Sequence, residues 1–173
     1  APVGSARAVL QRVNPLFGIT VHNDIEAITN HLSRKGLPTT QLLRTRHGAL
    51  AVDLGNGGVW RLLSYVEGHS YSKMTTQLAA PAGELVARFH AAVADLDHRF
   101  HFVRSGAHDF AKHLQNLRTA VENAPRKDSV PAAFFPLADA ILALAEQIPR
   151  DVPGPLRICH GDLKINNLRF GDD

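Results

Sequence analysis

Residues 156–170, which read LRICHGDLKINNLRF, carry the most informative pattern in this chain of 173 residues. Apolar residues alternate at the start of the stretch and return at its end, which predicts a buried strand, a polar loop and a second short strand. Four polar side chains fall within eight positions between them: His160, Asp162, Lys164 and Asn167. The stretch therefore predicts several polar groups held in fixed positions above a core.

The spacing of these side chains suits the transfer of a phosphoryl group to a hydroxyl. That reaction needs a carboxylate to accept the hydroxyl proton, a cation near the moving phosphoryl group, and an oxygen ligand for Mg²⁺. Asp162 can supply the carboxylate, Lys164 the cation and Asn167 the metal ligand. His160 can support the loop through a backbone contact. The plainer interpretation is a polar loop with a capping Asp and a solvated Lys.

The pattern H-x-D-x-K-x-x-N resembles the catalytic loop of the protein-kinase-like fold. Gly161 is more similar to the small-molecule branch of that fold, the aminoglycoside phosphotransferase and choline kinase superfamily, than to protein kinases. Asp162 to Asn167 is most similar to N-acetylhexosamine 1-kinase-like members, whose loop also reads Asp-x-Lys-x-Asn-Asn. The resemblance implies an α+β, two-lobed kinase-like enzyme that moves the γ-phosphate of ATP, with Mg²⁺, to a small hydroxyl-bearing substrate. A sugar is the first acceptor to consider.

The resemblance also implies how the chain is divided. Residues 1–66 would form a partial N-lobe of β-strands and one helix, and residues 67–173 a mainly helical C-lobe with its catalytic loop at 158–168. The family places two strands and a glycine-rich loop before the first strand predicted here, and a D-x-D hairpin with a second metal ligand after the catalytic loop. We therefore expect an N-lobe without its first strands and glycine-rich loop, and a C-lobe that stops before the hairpin.

A strand predicted at residues 8–13 resembles the family's strand that carries a basic phosphate ligand. Arg12 would then bind the nucleotide phosphates, and Leu10 would face the adenine. Residues 23–33 predict a helix with a capping box between Asn23 and Glu26. In the family this helix supplies a Glu that pairs with the basic residue, and Glu26 is the candidate, although capping alone also explains it.

An Asn-Gly turn signal predicts a hairpin between strands at residues 49–54 and 59–66. The resemblance implies that the second strand leads into the link between the lobes. The backbone near Ser64, Tyr65 and Val66 would then bind the adenine edge.

Three further amphipathic helices are predicted at residues 74–96, 111–123 and 134–147. Residues 97–110 between the first two combine aromatic residues with three histidines, and the resemblance implies substrate contacts from His108 or Asp109. The histidine spacing matches no standard zinc pattern and the loop has no cysteine, so a zinc site is not favoured. The plain interpretation is an aromatic-anchored loop with solvated histidines.

Composition narrows the classes of partner and compartment. The net charge is +3 and the basic residues are scattered, so no nucleic-acid partner is predicted. No apolar run is long enough for a membrane span, and the N-terminus lacks a signal pattern. The single cysteine, Cys159, lies in a predicted buried strand and cannot pair within the chain, which favours a cytoplasmic location.

Two other classes stay open on the sequence. The absence of the glycine-rich loop and the D-x-D motif from this sequence is compatible with an inactive, nucleotide-binding pseudokinase. A helical interaction module that carries the motif by chance is the second alternative.

Overall fold

The computed structural model describes residues 7–125, 129–149 and 154–171. The chain forms two compact units, one of residues 1–103 with 157–173 and the other of residues 104–156. The first unit mixes strands and helices, and the described part of the second is helical, so the predicted α+β class is confirmed. The lobe boundary near residue 66 stays a prediction.

The first unit contains a three-stranded antiparallel sheet with the order β1-β3-β2, formed by β1 (Ala8–Arg12), β2 (Val52–Asp53) and β3 (Val59–Ser64). The β1–β3 pairing runs from Ala8 opposite Ser64 to Arg12 opposite Trp60. A short 3-10 turn connects β2 to β3, and its first amide is bound by the Asp53 side chain at 2.8 Å. The predicted hairpin is confirmed, although β2 is shorter than predicted.

Helix α1 (Val21–Arg34) begins two residues before the predicted start. The Val21 amide donates to the Gly18 carbonyl at 3.1 Å, and the next two amides make similar turn bonds. Asn23 therefore lies inside the first helical turn rather than at the cap, and the predicted capping box is wrong. The preceding turn already satisfies the amides that a capping side chain would bind.

Helix α2 (Thr76–Val93) packs against α1 around the apolar core of the first unit. Leu32, Leu37 and Val93 are buried at the centre of this core, and Ile158 packs against them from the segment before Asp162. A polar link also joins the helices, because His31 Nε2 lies 2.9 Å from the Ala92 carbonyl. Apolar burial of this kind is worth about 1.5–3 kcal/mol for each large side chain.

The second unit contains α3 (Phe110–Glu122) and α4 (Phe134–Glu146), which pack against each other. Both helices agree with the predicted ranges to within one residue at each end. Leu114, Ala138 and Ala145 supply their buried apolar contacts. In the described ranges, the helices are all too short or too polar to cross a bilayer.

Candidate active site

The segment that leads to Asp162 does not form the predicted strand. The described chain from residue 154 to residue 164 contains no strand, and Cys159 is exposed, so its predicted burial is also wrong. Ile158, Leu163 and Leu168 instead line a largely apolar cavity of about 470 Å³ beside α1 and α2. Leu156 is fully exposed, and within the described residues no strand pairs with the backbone of this segment.

The H-x-D-x-K-x-x-N motif forms a compact turn in which two side chains converge on one carboxylate. Lys164 Nζ lies 3.0 Å from Asp162 Oδ2, and Asn167 Nδ2 donates to the same oxygen at 3.1 Å. Asn167 Nδ2 also donates to the Asp162 carbonyl at 2.7 Å. The Asp162 amide donates to His160 Nδ1 at 3.3 Å, and Gly161 between them has a φ of +75°, a conformation that favours glycine. The structure thus brings together the four motif residues singled out in the sequence.

The carboxylate at the centre of this turn is accessible and ionised. The side chains of Asp162 and Lys164 are 63% and 54% exposed. The hydrogen bond from Lys164, followed by the one from Asn167, lowers the pKa of Asp162 below its ordinary value. Asp162 is therefore a solvent-facing anion with two fixed donors on one oxygen.

Packing against α2 supports the start of the loop. The His160 ring meets the edge of the Phe89 ring with 5.7 Å between centroids. Two residues earlier, Ile158 packs on the core between α1 and α2. The loop is thus anchored by apolar contacts in place of the predicted strand.

The end of the loop is bound to the segment that follows β3. Two backbone hydrogen bonds join His69 and Phe170, at 2.8 and 3.0 Å. Arg169 donates to the Tyr65 hydroxyl at 2.7 Å and to Ser70 Oγ at 3.1 Å. Gly68 has a φ of +108°, and a Cβ at this position would lie 2.4 Å from the Phe170 carbonyl oxygen. The close approach of the two segments therefore requires glycine at position 68.

The three residues predicted at the adenine edge differ in the use of their backbone amides. The Ser64 amide donates to the Gln41 carbonyl at 2.8 Å, and the Tyr65 amide donates to the Arg7 carbonyl at 3.2 Å. Among the backbone hydrogen bonds between described residues, none uses the Val66 amide. Val66 is thus the residue of the three with an amide left for a ligand.

A family model described as the phosphotransferase enzyme family, APH, matches residues 4–173. This chain belongs to that phosphotransferase family. The match covers β1, the β3 segment and the loop around Asp162. Membership confirms the resemblance to the aminoglycoside phosphotransferase superfamily, and the closer likeness to N-acetylhexosamine 1-kinases stays a prediction.

The ion pair predicted between Arg12 and Glu26 of this phosphotransferase is not formed. Glu26 Oε2 accepts a hydrogen bond from Arg44 at 2.6 Å, so it pairs with Arg44 and not with Arg12. The Arg12 guanidinium lies over Gly58, where a Cβ would be 2.7 Å from Arg12 Nε. Leu10 is on the same strand and is 66% exposed. The nucleotide roles of these residues stay predictions.

His108 and Asp109 belong to the second unit of the phosphotransferase. Asp109 is the N-cap of α3, and its Oδ1 accepts from the Lys112 amide at 2.9 Å. His108 is exposed. Helix capping alone explains an aspartate at position 109. A substrate contact from His108 or Asp109 stays a prediction.

The sequence did not reveal a second cluster in this phosphotransferase, around Asp24 of α1. Asp24 Oδ1 lies 2.8 Å from His98 Nε2 and 3.1 Å from His101 Nδ1. The same oxygen accepts from the His101 amide at 2.8 Å, and Oδ2 accepts from the Phe102 amide at 2.9 Å. Burial by itself raises the pKa of Asp24, but these hydrogen bonds outweigh it and lower the pKa from 3.8 to about 2. The histidines were visible in the sequence, whereas their partner lies 74 residues before His98.

Proposed function

We propose that this phosphotransferase moves the γ-phosphate of ATP to a hydroxyl of a small molecule, with a sugar as the first acceptor to test. One observation supports the proposal above all others, namely the convergence of Lys164 and Asn167 on one oxygen of an exposed, ionised Asp162. An exposed anion, a cation and an amide within one turn would suit the binding of an acceptor hydroxyl next to a phosphate.

The two oxygens of Asp162 suggest separate roles. Oδ2 is occupied by Lys164 and Asn167, whereas no hydrogen bond within the described residues uses Oδ1. We assign Oδ1 to the acceptor hydroxyl, which it orients toward the γ-phosphorus. The low pKa makes Asp162 a weak base, so it receives the hydroxyl proton as the new O–P bond forms and the bond to the departing ADP breaks. Lys164 stabilises the negative charge on the phosphoryl oxygens during the transfer.

The donor set of the loop fits Mg²⁺. Asn167 uses its amide nitrogen to bind Asp162, which leaves its amide oxygen for a cation. Amide and carboxylate oxygens are ligands that Mg²⁺ accepts, and Asn167 is therefore the residue that we assign to the metal. Bound Mg²⁺ would neutralise charge on the nucleotide phosphates.

The nucleotide would lie along β1 and the segment after β3. We assign the adenine edge to the backbone of Ser64, Tyr65 and Val66, with the Val66 amide as the principal donor because the other two amides are used within the fold. Leu10 would cover the adenine, and Arg12 would bind phosphate oxygens. An exposed free thiol at Cys159 is also compatible with the cytoplasmic location that we propose.

The proposal is tested by incubating the protein with Mg²⁺, ATP and a panel of sugars and other alcohols, and measuring the phosphorylated products. Asp162→Asn removes the proton acceptor and should lower kcat by about a thousandfold, within the range known for acid–base groups. Nucleotide binding, measured by calorimetry, should persist. Asp97→Asn, which changes an exposed carboxylate outside the loop, is the matched control and should retain kcat.

The outcomes separate the alternatives. Undiminished turnover in Asp162→Asn rejects the role of Asp162. ATP binding without transfer by the unsubstituted protein across the panel favours a pseudokinase. No thermal shift with ATP and Mg²⁺ favours a helical interaction module.

A further inference from the structure

The cluster of Asp24, His98 and His101 has no role in the proposed reaction. Each residue offers one ligand atom, and the three atoms lie within 4.8 Å of one another. We propose that these three residues bind a transition-metal cation of the zinc class, at a site separate from the Mg²⁺ ligand in the catalytic loop.

The two distances from Asp24 to the imidazoles are close to those of a metal site. Ligand atoms about 2.0–2.1 Å from a tetrahedral zinc ion lie about 3.3 Å apart. Asp24 Oδ1 is 2.8 Å from His98 Nε2 and 3.1 Å from His101 Nδ1. Separations larger by a few tenths of an ångström would let the cation replace the protons now shared between these atoms.

Groups around the cluster hold the ligands in place. The Phe102 amide binds the other oxygen of Asp24 at 2.9 Å, which orients the carboxylate. The edge of the Phe100 ring meets the ring of His98 at a centroid distance of 5.3 Å. Such outer contacts fix the direction of ligating side chains and raise metal affinity.

Charge and exposure favour a cation at this position. The Asp24 side chain is 5% exposed and the His98 side chain 13%, whereas that of His101 is 51% exposed. A buried carboxylate beside two imidazoles provides a negative site, and the exposed His101 gives the ion a route from solvent.

The ligand types indicate which cations would bind. Two imidazole nitrogens and one carboxylate oxygen suit zinc, cobalt and nickel, whereas Mg²⁺ prefers oxygen ligands. Three protein ligands leave the fourth tetrahedral position for water. The ion would cross-link α1 to residues 98–101 and would stabilise the first unit by mass action.

The test uses metal-free protein without a polyhistidine tag, and it requires no measurement of turnover. Zinc is titrated against a chromophoric chelator, and cobalt is added separately to record its visible absorption. We expect one zinc per chain, a tetrahedral cobalt spectrum, a zinc-dependent rise in Tm, and no competition from Mg²⁺.

Two histidine variants make the test specific. His101→Gln removes an exposed ligand and keeps the backbone amide that binds Asp24, so the fold should persist by circular dichroism while zinc affinity falls at least tenfold. His47→Gln, which changes an exposed histidine outside the cluster, should leave zinc affinity unchanged. The proposal is overturned if the unsubstituted protein does not compete for zinc, or if both variants bind zinc equally well.

Discussion

Asp24 and Asp162 are two carboxylates with lowered pKa values and opposite surroundings. The Asp24 side chain is 5% exposed, and backbone amides and imidazoles occupy both of its oxygens. The Asp162 side chain is 63% exposed, and its two side-chain donors both bind Oδ2. The comparison shows that a low pKa alone does not indicate the role of a carboxylate. The free oxygen and the exposure of Asp162 are the features that suit the catalytic role we propose for it.

The energetic consequences of the two sites should therefore differ. A buried carboxylate is costly unless the fold supplies its partners, so changes at Asp24 should affect unfolding. An exposed ion pair contributes little to stability, so changes around Asp162 should affect turnover. Four predictions test this contrast.

Lys164→Met should have the largest effect, because it removes the cation from the Asp162 loop. We expect kcat to fall about a hundredfold, as for the loss of one electrostatic contact to a transition state. The pKa of Asp162 should also rise toward its ordinary value, because Lys164 is the main cause of its depression. Since the reaction needs ionised Asp162, the acidic limb of the kcat profile should move to higher pH.

Lys164→Arg is the companion variant for this pH series, because it retains a cation and should lose less activity. An unchanged pH profile in Lys164→Met would show that Lys164 does not control Asp162.

Asp24→Asn should lower the free energy of unfolding by about 2–3 kcal/mol, because a neutral amide replaces an anion bound by four donors. Urea unfolding in the presence of a chelator measures the effect without a metal contribution. Asp97→Asn should change the same quantity by less than about 0.5 kcal/mol. Equal stability of the two variants would remove the contrast between Asp24 and Asp162.

Gly68→Ala tests whether the Asp162 loop depends on its anchor. The added Cβ would meet the Phe170 carbonyl in a backbone conformation that disfavours alanine, so stability should fall by about 1–2 kcal/mol and kcat should fall as well. Gly83→Ala is the matched control, because its Cβ would enter open space within α2 and should raise stability by up to about 1 kcal/mol. Normal turnover in Gly68→Ala would show that the loop keeps its geometry without this contact.

Asp95→Asn should have the smallest effect. Asp95 is an exposed carboxylate paired with Lys35 and His31, and the Lys35 hydrogen bond is the main cause of its lowered pKa. A depressed carboxyl pKa adds stability above the ordinary value of 3.8, and this stability is lost as the pH falls below it. The Tm of Asp95→Asn should thus be slightly below that of the parent at neutral pH, and the difference should be smaller in acid. A larger difference in acid would contradict this sign.

Local patterns in the sequence were enough to predict β1, the β2–β3 hairpin and the four helices, because short-range periodicity reports the buried face of each element. The clustering of Asp162, Lys164 and Asn167 was also predictable, since five residues of backbone cannot separate them far. The strand before Asp162 was not, because apolar alternation alone does not provide a partner strand. Leu156 is fully exposed, and the partly buried Ile158 packs against the helical core.

Contacts between distant residues account for the other differences. The pairing of Glu26 with Arg44 depends on how the segment after α1 returns along the helix. The position of Asp24 beside His98 depends on the packing of a later segment against the start of α1. No regular sequence spacing indicates either contact, so only the folded structure could reveal them.

The bridge between His69 and Phe170 has a mechanical consequence. Two backbone hydrogen bonds connect the segment that we propose to bind the adenine to Phe170, three residues after Asn167. A ligand that displaces one of these two segments should therefore displace the other. Substitutions in either segment should consequently change adenine binding and the orientation of the acceptor hydroxyl together.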